Sequence, residues 1–352
     1  MGDLSVRQAV LSAPKTLQWN EQPLPQPSSG EVIVQIRAAL TCGTDLKTYR
    51  RGHPKLAFGP FGHEASGDIV AVGQGVESFA VGDAVMWVQT APCGSCPRCQ
   101  ADRENLCERL TEGMALGAYA DFLRLPAHIV ARNLFAKPQQ LSYIEAAFLE
   151  PFSCVVHGWS VLERADASSP VPESVAIVGA GSIGLLHLAY AKHAGIATTV
   201  VARHEQRLEL AARLGASGTV AAGFDSVPTE LAASFPAVIE CGGTPESWQE
   251  AVRLVAPGGR VLFFSGLPKG THVPLDATRM HYEELTCLGS FHFTPDDVRK
   301  ARELMIAGIV PARELISEVL PLASLAEAFA RLDNRTGFKY ALIPGDAAPA
   351  WI

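Results

Sequence analysis

The sequence predicts an α/β protein of two domains: an irregular β-rich domain into which a doubly wound parallel sheet is inserted. Three observations predict it. Residues 1–150 are rich in Gly and Pro, with short β-type runs such as EVIVQIRAA and GDIVAVG set apart by turn signals. From about residue 174, short apolar runs alternate with helical segments of ten or more residues, the pattern of βαβ units and a parallel sheet. A length of 352 residues also suits two domains better than one.

In chain order, SVAIVG is an apolar run and IGLLHLAYAKHAG a helix; TTVVA is a run and EQRLELAARLGA a helix. AVIECGG, the amphipathic SWQEAVRLVAPGG and RVLFFSG continue the alternation. The β-texture returns near Cys287–Phe293, and VRKARELMIAGI and LASLAEAFARL read as helices before a closing strand, KYALIP. The boundaries fall at 1–152 plus 291–352 for the outer domain and 153–290 for the inserted one. No internal repeat or low-complexity segment is visible, and GDAAPAWI reads as a loose tail or an interface strap.

The chain is 48% hydrophobic and 18% charged, enough to bury sizeable cores. A net charge of −7 with no long basic run argues against nucleic acid or an anionic membrane as partner. The start MGDLSVRQAV has no secretory pattern, although MGDLSV loosely fits a myristoylation signal at Gly2. The most apolar helix candidate, around Gly184–Ala194, carries His187, Lys192 and His193 and is too short to span a bilayer. The reading is a soluble, cytoplasmic protein.

Four of the eight cysteines fall within fifteen residues. Cys93, Cys96, Cys99 and Cys107 are spaced C-x2-C-x2-C-x7-C, which suits a closed tetrahedral zinc–thiolate site better than an iron–sulfur cluster or a disulfide framework. Cys42, in CGTD, and His63, in GHE, make an incomplete second zinc site. Glu150, Cys154 and Glu64 are each candidates for its third ligand, and Asp45 for the acceptor that fixes the histidine tautomer. Singly each has an ordinary explanation; together they point to a catalytic metal.

Gly179-Ala-Gly181-Ser-Ile183-Gly184 follows the strand SVAIV and opens a helix, the setting in which G-x-G-x-x-G binds a dinucleotide. The glycines allow the turn, the approach of the pyrophosphate and close helix packing. The helix N-terminus adds amide donors for phosphate. An acidic residue is expected about twenty residues on, to hold the ribose hydroxyls. Ala202-Arg203 stands there instead. With no carboxylate to repel a 2′-phosphate, and with Arg203, His204 and Arg207 supplying donors, the pattern favours NADP(H) over NAD(H).

Together ALTCGTD, GHEASGDIVAVGQGVESFAVGD, the four-cysteine lobe, FLEP and VAIVGAGSIG resemble the zinc-dependent medium-chain dehydrogenase/reductase superfamily, in its polyol (sorbitol) and threonine dehydrogenase branch, over essentially the whole chain. The resemblance implies a GroES-like catalytic domain with an inserted Rossmann domain, an active site in the cleft, and one catalytic and one structural zinc. It also favours Glu150 over Cys154 as third position, makes Glu64 an exchange ligand and gives Thr44 the alcohol proton. Lys47 stands where related enzymes often carry the last histidine of that relay. Assembly into dimers or tetramers is implied too, with LTCLGSF as a contact strand.

A zinc-free enone or quinone reductase would lack Cys42, His63 and Glu150, and a non-catalytic cofactor sensor would show a broken catalytic set. A nucleic-acid-binding zinc ribbon would need a basic face. The substrate expected from branch resemblance is a polyol, sugar or cyclitol-like secondary alcohol, with an NAD-dependent threonine-type dehydrogenase as the alternative. Trp87, Tyr49, Phe61, Phe291 and Phe293 are candidate cleft aromatics.

Overall fold

The computed structural model describes residues 5–52, 57–165 and 172–345; the Gly2 signal and the tail beyond 345 lie outside them. By internal contacts the chain divides into one unit of Met1–Pro151, Thr294–Gly308 and Ala312–Ile352, and a second of Phe152–Phe293 with Ile309–Pro311. Among the described residues no helix is long and apolar enough to cross a membrane.

The first unit begins with a hairpin, β1 (Ser5–Ala13) and β2 (Thr16–Pro23). Then come β3 (Val32–Leu40), β4 (Gly59–Pro60), β5 (Glu64–Val72), β6 (Ala84–Trp87), β7 (Phe122–Leu125) and β8 (Leu134–Ala136). The second unit supplies β9 (Ser174–Val178), β10 (Ala197–Ala202), β11 (Gly218–Ala221), β12 (Phe235–Glu240), β13 (Val255–Phe263) and β14 (Thr286–Gly289). The chain then returns to the first unit with β15 (Ile316–Pro321) and β16 (Lys339–Ile343).

In the first unit β2-β1-β4 form a small sheet, and a seven-stranded sheet runs β15-β16-β3-β5-β6-β8 with β7 also on β3. Except for the parallel β15–β16 pair, these ladders are antiparallel. The core of this unit includes an aromatic cluster in which Phe61, Tyr119 and Phe329 meet at ring distances of 5.1–5.9 Å. Trp87 and Phe61 are core residues, 1% and 5% exposed, and Tyr49 stacks on Phe329. Their aromaticity serves packing, the commoner use of such side chains.

The second unit is one parallel sheet in the order β11-β10-β9-β12-β13-β14, the 3-2-1-4-5-6 order of the dinucleotide-binding fold. Parallel strands covered on both faces read as continuous apolar runs, and VAIV of β9 is fully buried. The segment VAPGG, read from sequence as the end of a helix, belongs instead to β13. The helix Pro245–Leu254 stops at Leu254, and Gly258 takes a positive φ of 71° within the strand. Phe293 is buried, Phe291 exposed. The LTCLGSF strand, β14, is the outer strand beyond β13.

The helix Ser182–His193 is buried from Gly184 to Ala191, which places His187 among apolar neighbours. Its ring lies edge-on to Phe264 at 4.7 Å, neither ring nitrogen has a partner among the described residues, and burial pushes its pKa down to about 3. An unfolded chain takes up a proton here near pH 6.5 and the native state does not, so stability is full above that pH and falls as pH drops from 6.5 towards 3. At pH 5 the loss is about 2 kcal/mol. His187→Leu is expected to flatten the melting profile between pH 6.5 and 4 relative to wild type; parallel profiles for the two would refute this.

Candidate active site

The four-cysteine lobe follows β6. Cys96 precedes the short helix Pro97–Gln100, and the sulfurs of Cys93, Cys96, Cys99 and Cys107 all lie within 4.8 Å of one another. The distances are 3.9 Å for Cys93–Cys99, 3.5 Å for Cys96–Cys99 and 3.9 Å for Cys96–Cys107. A tetrahedron with Zn–S of about 2.3 Å has edges of about 3.8 Å, so the lobe fits the ion. Backbone amides already point at these sulfurs: Ser95 and Cys96 donate to Cys93 Sγ, and Cys93 donates to Cys107 Sγ. The Ser95 amide and hydroxyl hold Cys93 down to about 5, whereas burial pushes Cys99 up to about 12. A cation is what lets all four ionise.

The second cluster sits where β3 and β5 end and begin. Cys42 is the N-cap of the helix Gly43–Arg51, and its Sγ accepts from the Thr44 amide at 3.4 Å. His63 precedes β5 and Glu64 opens it; with Cys42 their ligand atoms all lie within 4.8 Å of one another. His63 Nδ1 lies 3.0 Å from Asp45 Oδ1, and Tyr119 Oη lies 2.7 Å from Asp45 Oδ2. With Nδ1 committed to Asp45, Nε2 is left for a metal. Glu150, on the first turn of the helix Leu149–Arg164, places Oε2 3.8 Å from His63 Nε2, and its Oε1 accepts from Gln89 Nε2 at 2.8 Å. Cys154 is not in the three-ligand group.

Glu64 is fully buried, and its Oε2 accepts from Lys339 Nζ, which also donates to the Thr41 carbonyl at 2.8 Å. Lys339 is the first residue of β16. That strand pins the Cys42 loop through the Tyr340 amide on Thr41 Oγ1. Glu64 Oε1 is buried with no partner among the described residues, a lone-pair face that suits a cation. Burial pushes Glu64 up to about 7, with Lys339 pulling it back. Burial and then Glu64 push the Cys42 thiol up. Burial alone would push His63 down, but Asp45 and Glu150 outweigh it and hold the ring well above its usual value. These groups strain against one another as a bare set, and a divalent cation favours thiolate and carboxylate together.

Thr44 and Lys47 are exposed on the same helix as the Cys42 cap. Lys339, Gln89, Tyr119 and Thr41 were not singled out by sequence. Lys339 lies 275 positions from Glu64, Gln89 is 61 from Glu150 and Tyr119 is 74 from Asp45, so no local spacing announces them.

In the second unit Gly179 has φ 115° and an added Cβ would meet Cys241 backbone at 2.9 Å; at Gly184 one would meet the Gly179 carbonyl oxygen at 1.9 Å. Both must be glycine for the protein's own packing. At Gly181, among the described residues, only Arg207 Nη1 comes near, at 3.9 Å, which leaves that face open for a ligand. Ile183 lies on the first turn of the helix Ser182–His193. Ala202 ends β10, Arg203 and His204 are exposed, and His204 caps the helix Glu205–Leu214. Arg207 donates to the Ala180 carbonyl at 3.3 Å, and Arg203 lies over the Phe224 ring, 4.9 Å from its centre.

Residues 28–135 match the family model of the alcohol dehydrogenase GroES-like domain, and residues 182–307 that of zinc-binding dehydrogenase. The chain is 30% identical over 340 residues to sorbitol dehydrogenase of Bacillus subtilis (strain 168), covering 93% of each. It is 32% identical over 343 residues to L-galactonate-5-dehydrogenase of Escherichia coli (strain K12), covering 93% of this chain and 95% of that one. A Sinorhizobium meliloti 1021 protein assigned as a zinc-binding dehydrogenase, solved with NADP bound, superposes with a TM-score of 0.85 at 28% identity, covering 97% of this chain and 100% of that one. On this evidence the chain belongs to the zinc-dependent medium-chain dehydrogenase/reductase superfamily, in its polyol (sorbitol) and threonine dehydrogenase branch, and is an oxidoreductase acting on CH–OH groups.

Proposed function

We propose that the enzyme interconverts a secondary alcohol of the polyol, sugar or cyclitol type and its ketone, with NADP(H) preferred and two zinc ions per subunit. The observation that carries the reading is the convergence of Cys42, His63 and Glu64, with Glu150 beside His63, in a buried cluster. The relatives named for sorbitol and galactonate support the substrate class. The NADP in the Sinorhizobium protein supports the cofactor.

Cys42, His63 and Glu150, the last directly or through water, would hold the catalytic ion, with Glu64 as exchange ligand. Cys93, Cys96, Cys99 and Cys107 would hold the structural one. Bound zinc supplies a Lewis acid for negative charge on the reacting oxygen, and bound nicotinamide gives or takes the hydride. Asp45 keeps His63 in the tautomer that leaves Nε2 available. Thr44 carries the alcohol proton away, with Lys47 one turn further along the helix. Gly179, Gly181, Ile183 and Gly184 receive the pyrophosphate at the helix N-terminus, and Arg203, His204 and Arg207 the 2′-phosphate.

Metal analysis should return two zinc per chain, and a panel of polyols, amino alcohols and their ketones should show turnover with NADP(H). No turnover with any of them would reject the reading. Glu150→Gln should lower activity at least about tenfold and Cys154→Ser only slightly; the reverse ranking would make Cys154 the third ligand.

One charge-assisted contact from Arg203 to the 2′-phosphate contributes roughly 1.5–3 kcal/mol, so preference over NAD should be about tenfold to a hundredfold. Ala202→Asp with Arg203→Leu supplies a ribose acceptor and repels the phosphate. The double variant should prefer NAD in kcat/KM with its metal content unchanged. A wild type preferring NAD, or a variant whose preference stays put, would remove Arg203 from the cofactor site.

A further inference from the structure

The guanidinium of Arg203 makes no hydrogen bond or ion pair among the described residues; its close contact is the face of Phe224. Glu246 feels the charge of Arg203, after its own amide and the Thr244 hydroxyl, but lies beyond ion-pair distance. A long, exposed arginine otherwise samples many rotamers, and ordering it on binding costs affinity. Here the ring supplies a resting place that uses the π face and leaves the N–H donors unspent.

Phe224 is itself fixed. It is 8% exposed and packs in the core of the second unit with Val201, Val227 and Phe235. Its Cε2 lies 2.8 Å from where a Cβ on Gly242 would be, so the ring rests where only a glycine leaves room. Gly242 in turn sits against Gly179, whose added Cβ would meet the Gly242 nitrogen at 3.0 Å. A chain of contacts therefore runs from the glycine loop through Gly242 and Phe224 to Arg203. Arg207 is tied to the same loop separately, through the Ala180 carbonyl.

We propose that Phe224 is the positioning residue for cofactor selection, a fixed aromatic platform that holds Arg203 in register with the glycine loop for a nucleotide 2′-phosphate. The proposal rests on the NADP reading and deepens it. The ring does not touch the phosphate; it acts through Arg203.

Calorimetric binding of 2′,5′-ADP and of 5′-AMP to the full-length zinc enzyme tests this apart from turnover. Wild type should favour 2′,5′-ADP. Phe224→Leu, which keeps apolar volume, should lower that preference about two- to fivefold with 5′-AMP affinity unchanged. Phe224→Tyr, which keeps a ring in place, should retain it, and Phe224→Leu should have no effect in an Arg203→Leu background. If wild type shows no preference, the NADP reading fails and takes the proposal with it. If Arg203→Leu removes the preference but Phe224→Leu leaves it intact, the proposal fails and the NADP reading stands. Equal weakening of both ligands by Phe224→Leu would mean that the ring packs the nucleotide itself, which also overturns the proposal.

Discussion

Cys42→Ala is expected to lower turnover by more than about a thousandfold, because losing the proposed catalytic zinc would remove several kcal/mol of charge stabilisation in the transition state. The fold should persist: Cys42 gives up a 3.4 Å cap to the Thr44 amide and a side-chain hydrogen bond with His63, which keeps its bond to Asp45. His63→Ala would silence the enzyme too, but it strips buried Asp45 of a partner and is the less clean variant. Cys99→Ala should act differently. Its sulfur is part of a lobe whose clustered side chains are mainly the thiols themselves with Leu110, so a bound structural ion would supply much of the lobe's folding free energy. Metal content should fall from two to one in each variant. The Cys42 variant should melt like wild type, whereas the Cys99 variant should melt earlier or fail to assemble. Full metal content and unchanged melting in both inactive variants would defeat the two-site assignment.

Lys339→Met should destabilise the first unit by about 3–5 kcal/mol, the cost of leaving one member of a buried ion pair unpartnered. Glu64 is 0% exposed and Lys339 2% exposed, so water cannot take over the lost contact. For a unit of this size that is a fall of roughly 6–20 °C in its melting transition. Adding Glu64→Gln should recover a large part of the loss, because the buried charge goes with its partner. A single variant that melts within a degree of wild type would show that the pair does not hold this corner of the sheet.

What the sequence discloses here is what lies close together along it. The four thiols within one short loop and the Gly179–Gly184 turn behind an apolar strand announce themselves, since their chemistry depends on local spacing. CGTD and GHE are legible as metal-ligand candidates for the same reason. The supports of those ligands are not. Lys339 reads as an ordinary charge opening KYALIP, and nothing near it says that it is buried against Glu64. Tyr119 behind Asp45 and Gln89 behind Glu150 come from strand-to-loop closures with no periodic signal. Phe224 lies in a turn, and nothing near it in sequence says that its ring is buried against Gly242. The misread VAPGG has a local cause: Val255 and Ala256 extend the apolar stripe of the preceding helix, and only pairing with β12 turns them into strand.

That β16 closes the main sheet of the first unit, beside β3, has a consequence in time as well as in space. A ribosome adds about 5–20 residues per second, so the 275 positions from Glu64 to Lys339 take roughly 15–55 s to emerge. Throughout that interval the nascent chain has the edge of β3 at Ala39–Leu40 uncovered and the Glu64 carboxyl without its ammonium. The inserted parallel-sheet unit, contiguous from Phe152 to Phe293 in its main segment, is complete well before then. Translation that stops short of Lys339 would thus release a chain with a finished nucleotide-binding unit and an unfinished metal-binding one, a natural client for chaperones and proteases.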